Sequence, residues 1–332
     1  MFEIAGVHGV FEESWQKHLE SGQRLAASAS GDTHTVAMQN AYPGLIYVTA
    51  NALTGVYAKG KSRDKTWNAM YGRRTFGVTH NERILVDFHV NGQPMGEEAE
   101  AAPGGPVKVS ARVSCTAPAV RVELLKNNAV THSVFPSRRR QGNLARVTWG
   151  GNICQRRAAV GMTSGELSAE AGRLALRETV NLDQAFESVR QSGERAIAWR
   201  TAAVSNDRDG FLADILAVQG TDLAFRLEDP EQVGSVEVRI PLAKLRREGF
   251  FRWSKDAGAR VKHPYMEKMG VAPAFFVDCE MIAAAGPMDV DFAYEDREPP
   301  KDGDYYYLRA EQLNTAKAWS SPVWLRVRER RP

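Results

Sequence analysis

Carboxylate and imidazole are the side chains whose spacing in this chain points to metal or acid–base chemistry. Asp32 and His34 stand at i and i+2. At the end of an extended strand such a pair projects to one side, so an oxygen and a nitrogen can reach the same divalent ion. His8, set between Gly6 and Gly9, and Glu12 lie upstream. One strand earlier, they would face the same strand-end cleft. For an isolated DxH, a turn aspartate beside a surface histidine is the simpler account, and His8 alone reads as a structural histidine. His18 reads as an exposed mid-helix residue, His132 and His263 fall in loops of the β region with no acidic partner in register, and none of the three receives a role. The stretch Ser205 to Gly210 has the look of a calcium loop, but Leu216 occupies the twelfth position, where a bidentate acid is required, so a turn is expected. GxSxG, HExxH, P-loop and GxGxxG patterns are absent, which removes the usual footing for a serine hydrolase, a zincin, a P-loop NTPase or a dinucleotide-binding fold.

The elements that must position Asp32 and His34 follow from periodicity. Phe2, Ile4 and Val7 read as a buried strand, and residues 13–22 as a short helix with Trp15 and Leu19 on one face. The small apolar run from Leu25 to Ser30 suits a strand covered on both faces, as in a parallel sheet. Strand, helix, strand is an α/β rhythm, and in parallel sheets chemistry gathers at the carboxyl ends of the strands, where Asp32 and His34 fall. Residues 61–74 predict an amphipathic helix carrying Trp67, Met70 and Tyr71. From about residue 84 the period switches to two: Ile84-Val86-Phe88-Val90, Val107-Val109-Ala111-Val113, Val120-Val122-Leu124 and Val236-Val238-Ile240. Residues 84–332 are therefore expected to be mostly antiparallel β, with 173–180 a strand. Tyr305 to Gln312 and Pro322 to Val327 are expected to close the fold as a hairpin, with Tyr305, Tyr307, Trp319 and Trp324 as core rather than as a sugar platform.

Composition bounds the partners. The chain has 332 residues, 43% hydrophobic and 25% charged, which fits a soluble globular protein of about two domains. A net charge of +3 is too small to mark a nucleic-acid binder, and the runs Arg138-Arg139-Arg140 and RVRERRP read as solvated segments. Three separated cysteines encode neither a disulfide framework nor a CxxC zinc site. No apolar run reaches the length of a membrane span, and residues 1–16 lack the pattern of a leader peptide. As written the chain reads as unexported and cytoplasmic, with localisation open if a longer parent supplies a leader.

The segments EIAGVHGVFEE, SGDTH, GLIYVTANALTGVYAKGKSRDKTWNAMYGRRTFGVTHNERILVDFHVNGQPMGEE, DYYYLRAEQ and AWSSPVWL, in that order, resemble a bacterial family of unassigned function. Its members join a PHP (polymerase and histidinol phosphatase)-like metal domain to a C-terminal β-rich region. The resemblance is most specific over 2–98 and 304–325, and weak between about 105 and 300. It implies an α/β remnant of a PHP-like (β/α) barrel over 1–80, followed by a mostly antiparallel β-sandwich-like region over 84–332. It implies metal-ligand roles for Asp32 and His34, with His8 and Glu12 matching the family's HGxxE segment and Glu3 an acidic position on the same strand. The family's Gly after Thr79 is replaced by His80. The cofactor implied is a divalent metal, Mn, Zn or Fe, and the reaction metal-dependent hydrolysis of a small-molecule substrate, a phosphoester by analogy with the superfamily. No nucleic acid is expected as a partner. The N-terminal HxH and further ligands of such domains are missing, so the chain reads as the C-terminal portion of a longer hydrolase, inactive alone. The competing expectation is a non-catalytic β-sandwich binding or structural module with a vestigial barrel remnant.

Overall fold

A computed structural model describes residues 1–6, 9–31, 52–80, 82–139, 142–150, 163–182, 187–201, 208–216, 220–229, 234–256, 274–283 and 286–328. Asp32, His34 and His8 lie outside the described residues. The described chain is mostly β, in several largely antiparallel sheets with three helices, and it folds as two compact units. The first is drawn from 1–32, 50–136 and 287–332, the second chiefly from 137–286.

The first unit has three layers. One is a small sheet ordered β2-β1-β3, from β1 (Phe2–Gly6), β2 (Gly9–Val10) and β3 (Ala27–Ala29). Helix α1 (Glu12–Glu20) connects β2 to β3, and β1 and β3 run parallel with Phe2 opposite Ala27 and Ala5 opposite Ala29. Trp15 and Leu19 are buried one helical turn apart, as their spacing requires, so α1 anchors on this sheet. The α/β rhythm read from the sequence is present here, but it amounts to one sheet and one helix. No closed barrel, and no (β/α) barrel, is evident among the described residues.

The middle layer is an eight-stranded sheet. Its main path runs β11 (Ala129–Val134), β10 (Ala119–Lys126), β23 (Tyr305–Gln312), β24 (Lys317–Ser320), β5 (Thr75–Val78) and β4 (Leu53–Val56), with β25 (Val323–Val327) beside β23 and parallel to β8 (Glu98–Ala101). The outer layer is β22 (Asp289–Asp296), β9 (Val107–Ser114), β6 (Leu85–Val90) and β7 (Gln93–Pro94). Alternate residues of β6 and β9 fill the core between the outer and middle sheets, with Tyr306 and Leu308 facing them. Tyr305, Tyr307, Trp319 and Trp324 fill the other interlayer with Ile4, Trp15, Ala27 and Ala29. The middle sheet is thus covered on both faces, which is why consecutive tyrosines are all buried and why no half-exposed face exists on β23. Val78 and Ile84 share one core within this unit.

Helix α2 (Arg63–Tyr71) begins at Ser62, whose hydroxyl accepts from the Lys65 amide, and departs from the amphipathic expectation. Its buried residue is Ala69, whereas Trp67 and Tyr71 are 64% and 80% exposed. His80, where the resembling family has glycine, holds a left-handed φ of 60°.

The second unit packs two five-stranded sheets face to face. One is ordered β14 (Arg173–Val180), β17 (Arg208–Leu216), β12 (Leu144–Gly150), β21 (Ala274–Met281), β20 (Phe250–Asp256). The other is β15 (Ser188–Gln191), β16 (Ala196–Thr201), β13 (Thr163–Ala169), β18 (Asp222–Asp229), β19 (Gly234–Pro241), followed by α3 (Leu242–Glu248). Trp149 and Trp199 stack at 4.5 Å at the centre of its core, with Phe211 and Phe225 around them. Gly165 makes this possible, because a Cβ there would come within 2.3 Å of the Trp199 ring. The unit is interposed between β11 and β22, and its two ends are bonded to each other. The Ala283 amide donates to the Ser137 carbonyl at 2.6 Å and the Arg139 amide to Met281 at 3.0 Å.

Candidate functional site

Because β1 and β3 are parallel neighbours, the chain leaves both at the same end of the small sheet, β1 at Gly6 and β3 at Ala29. The sequence candidates follow directly: His8 two residues after β1, Asp32 and His34 within five of β3. Small residues let this layer approach the middle sheet. At Gly77 a Cβ would lie 2.9 Å from the Ile4 side chain and 3.1 Å from the Ser28 carbonyl.

The backbone edge of β3 away from β1 bonds to hydroxyls. The Ala27 amide donates to Ser321 Oγ at 3.0 Å and the Ala27 carbonyl accepts from Thr75 Oγ1 at 2.7 Å. Thr54 Oγ1 accepts from the Ala29 amide at 2.9 Å and donates to the Ala29 carbonyl at 2.7 Å. The strand that delivers Asp32 and His34 is thereby fixed by side chains from β4, from β5 and from the turn after β24.

Glu12, at the start of α1, accepts from Arg309 Nη1 at 2.8 Å. Arg309 also donates through Nε to Glu123 at 2.8 Å, and Arg121 reaches Glu311 at 2.5 Å. Burial works against the Arg309 charge, and Glu12 and Glu123 outweigh it, so the Arg309 pKa lies above its ordinary value. Burial, then Glu12, raises the Tyr307 hydroxyl, which accepts from Gln16 at 2.7 Å. A metal ion at Glu12 would therefore compete with a guanidinium already in contact. Glu3 lies exposed on β1, its carboxylate folded over Gly6. Among the described residues no group of three or more His, Cys, Asp and Glu side chains is placed to hold a metal ion.

A second polar centre was not anticipated from the sequence. Lys126 Nζ, buried at the end of β10, donates to Asp296 at 2.9 Å and Glu298 at 3.2 Å. Asp296 also accepts from the Tyr306 hydroxyl at 2.6 Å and the Glu298 amide at 3.0 Å. Burial alone would raise the Asp296 pKa, but these donors prevail and hold it below the ordinary carboxylate value. Lys126 and Asp296 border a cavity of about 520 Å³ together with Asn127, Tyr294 and Asp304. Its sequence signal is faint, since one lysine at a strand end and scattered acids 170 residues away have no shared spacing. Arg138, read as part of a solvated run, instead grips Glu280 through Nε and Nη2 at 3.0 and 2.6 Å.

No family model matches the chain. It is similar to an uncharacterized protein of Chlamydia trachomatis, 33% identical over 88 residues, which is 25% of this chain and 14% of that protein. An uncharacterized protein of Chlamydia muridarum matches to the same identity and extent. The match covers about a seventh of each chlamydial protein. What these comparisons establish is a distant, partial similarity to proteins of undescribed activity.

Proposed function

We propose that this chain is the C-terminal portion of a PHP-like metal-dependent hydrolase, with a phosphoester as the bond cleaved and Asp32, His34 and His8 as ligands to a divalent metal. The observation that carries the reading is the parallel pair β1 and β3, after which the chain continues to His8 and to Asp32 and His34 from one end of the sheet. A bound Mn, Zn or Fe ion would supply an activated water and neutralise charge developing on the phosphoryl oxygens. The chain's own part would be to hold the ligands on a strand locked by Thr54, Thr75 and Ser321. Glu12 is assigned to orientation through Arg309 before ligation.

The test is metal titration of the 332-residue chain by calorimetry, beside a variant carrying Asp32→Asn and His34→Ala. Manganese is expected to bind weakly to the parent, because three ligands leave most positions to water, and at least tenfold more weakly to the variant. Equal affinity of the two chains would remove the ligand assignment. The alternative, a non-catalytic β-sandwich module, draws support from the second unit, whose two sheets and tryptophan-centred core are built independently of these residues. It predicts no metal binding by the parent.

A further inference from the structure

Two guanidinium groups from separate parts of the chain flank the indole of Trp324, and a third, that of Arg326, shares Glu98 with one of them. Arg24 precedes β3, Arg73 follows α2, and Arg326 lies two residues beyond Trp324 on β25. The Cζ atoms of Arg24 and Arg73 stand 5.9 and 5.4 Å from the ring centroid. Glu98 pairs with Arg24 through one carboxylate oxygen and with Arg326 through the other. Its charge is thereby shared between two cations, and Arg73 is close enough to repel Arg24. Burial, then the charges of Arg326 and Arg73, keep the Arg24 pKa below its ordinary value, with Asp302 opposing them.

The backbone at Arg73 points to a task for its side chain. Helix α2 closes with the Arg74 amide on the Ala69 carbonyl at 2.9 Å and the Arg73 amide on Met70 at 3.0 Å. That pairing places residue 73 in the left-handed conformation, and its φ is 59°. Glycine holds this position at least cost, and Gly72 sits one residue too early to do so. An arginine carried there at a conformational penalty uses its Nε to donate to the Gly96 carbonyl at 3.0 Å. That bond fixes the guanidinium plane, while the two Nη groups make no hydrogen bond to any described residue. Strain of this kind gathers where a side chain must be held in place.

We propose that Arg24, Arg73 and Arg326 form a binding site for a tetrahedral oxyanion, either inorganic phosphate or the phosphate of a small monoester. Planar guanidinium forks match phosphate oxygens, and an anion would offset the positive charge that remains when Glu98 and Asp302 are set against the three arginines. The site is independent of the metal-ligand reading and uses none of its residues.

The experiment is calorimetric titration of the whole chain with sodium phosphate and with glycerol 1-phosphate, at constant ionic strength set by sodium chloride, for the parent and for Arg73→Gly. Glycine suits the left-handed position, so this variant keeps the fold, and its melting temperature in chloride is expected to match or exceed that of the parent. Saturable binding to the parent, at least tenfold weaker in Arg73→Gly and in the exposed-site variant Arg24→Gln, upholds the proposal. An ester that binds more tightly than the free ion assigns the site to a phosphorylated metabolite, and equal binding assigns it to phosphate itself. Absence of saturable binding to the parent, or undiminished affinity in Arg73→Gly, overturns the proposal.

Discussion

Arg309 holds the carboxylate of Glu12, a residue that sequence spacing offered to a metal. The charges opposite one another on β10 and β23 were in principle legible, since Arg121 and Glu123 alternate on one strand and Arg309 and Glu311 on the other. What the sequence does not contain is their register, which joins residues nearly 190 positions apart. Asp296 shows the same limit, and its environment makes a pH prediction. Its folded pKa is lowered, so its contribution is fully present above the ordinary carboxylate value and is lost as pH falls through the lowered one. Asp296→Asn should therefore be less stable than the parent at pH 7, by about 1–3 kcal/mol for a buried charged hydrogen-bond network, and the difference should shrink toward pH 3. Urea melts at the two pH values measure it, and a difference that grew on acidification would refute the assignment.

Elements were legible where side-chain spacing and burial agree. Trp15 and Leu19 mark α1 because both sink into one interlayer, and Leu174 and Val180 mark β14 because both are buried. The stripe on α2 misleads for a physical reason: the helix turns Ala69 inward, and the bulk of Trp67 and Tyr71 lies outside. The strand β24 and the parallel partnership of β25 with β8 left no periodic trace, because both depend on long-range pairing. Edge satisfaction of β3 by hydroxyls is similarly silent in sequence, and it is testable. Thr54→Val removes two bonds to Ala29 with little change of shape, and Thr75→Val removes the donor to the Ala27 carbonyl. Each is expected to cost about 1–3 kcal/mol, Thr54→Val the more, with faster amide exchange at Ala29. A Thr54→Val chain with unchanged denaturation midpoint and Ala29 exchange would show that the edge needs no such partners.

At the scale of the molecule, two β units were not separable in the sequence because strands of period two run through both. The division rests on closure of the chain at 137–139 against 281–283. A chain in which residues 137–286 are replaced by a short Gly-Ser linker should keep the cooperative melt of the first unit, and 137–286 expressed alone should fold with a β-type circular dichroism spectrum. Loss of cooperative melting in both pieces would make the two units one folding entity. The bonded ends carry a further consequence for how such a chain changes over generations. With Ser137 and Ala283 pinned to each other, residues gained or lost between them leave the gap that the first unit must bridge unaltered. The packing of the layered unit then places little restraint on the length of chain between them, whose composition answers instead to its own core around Trp149 and Trp199.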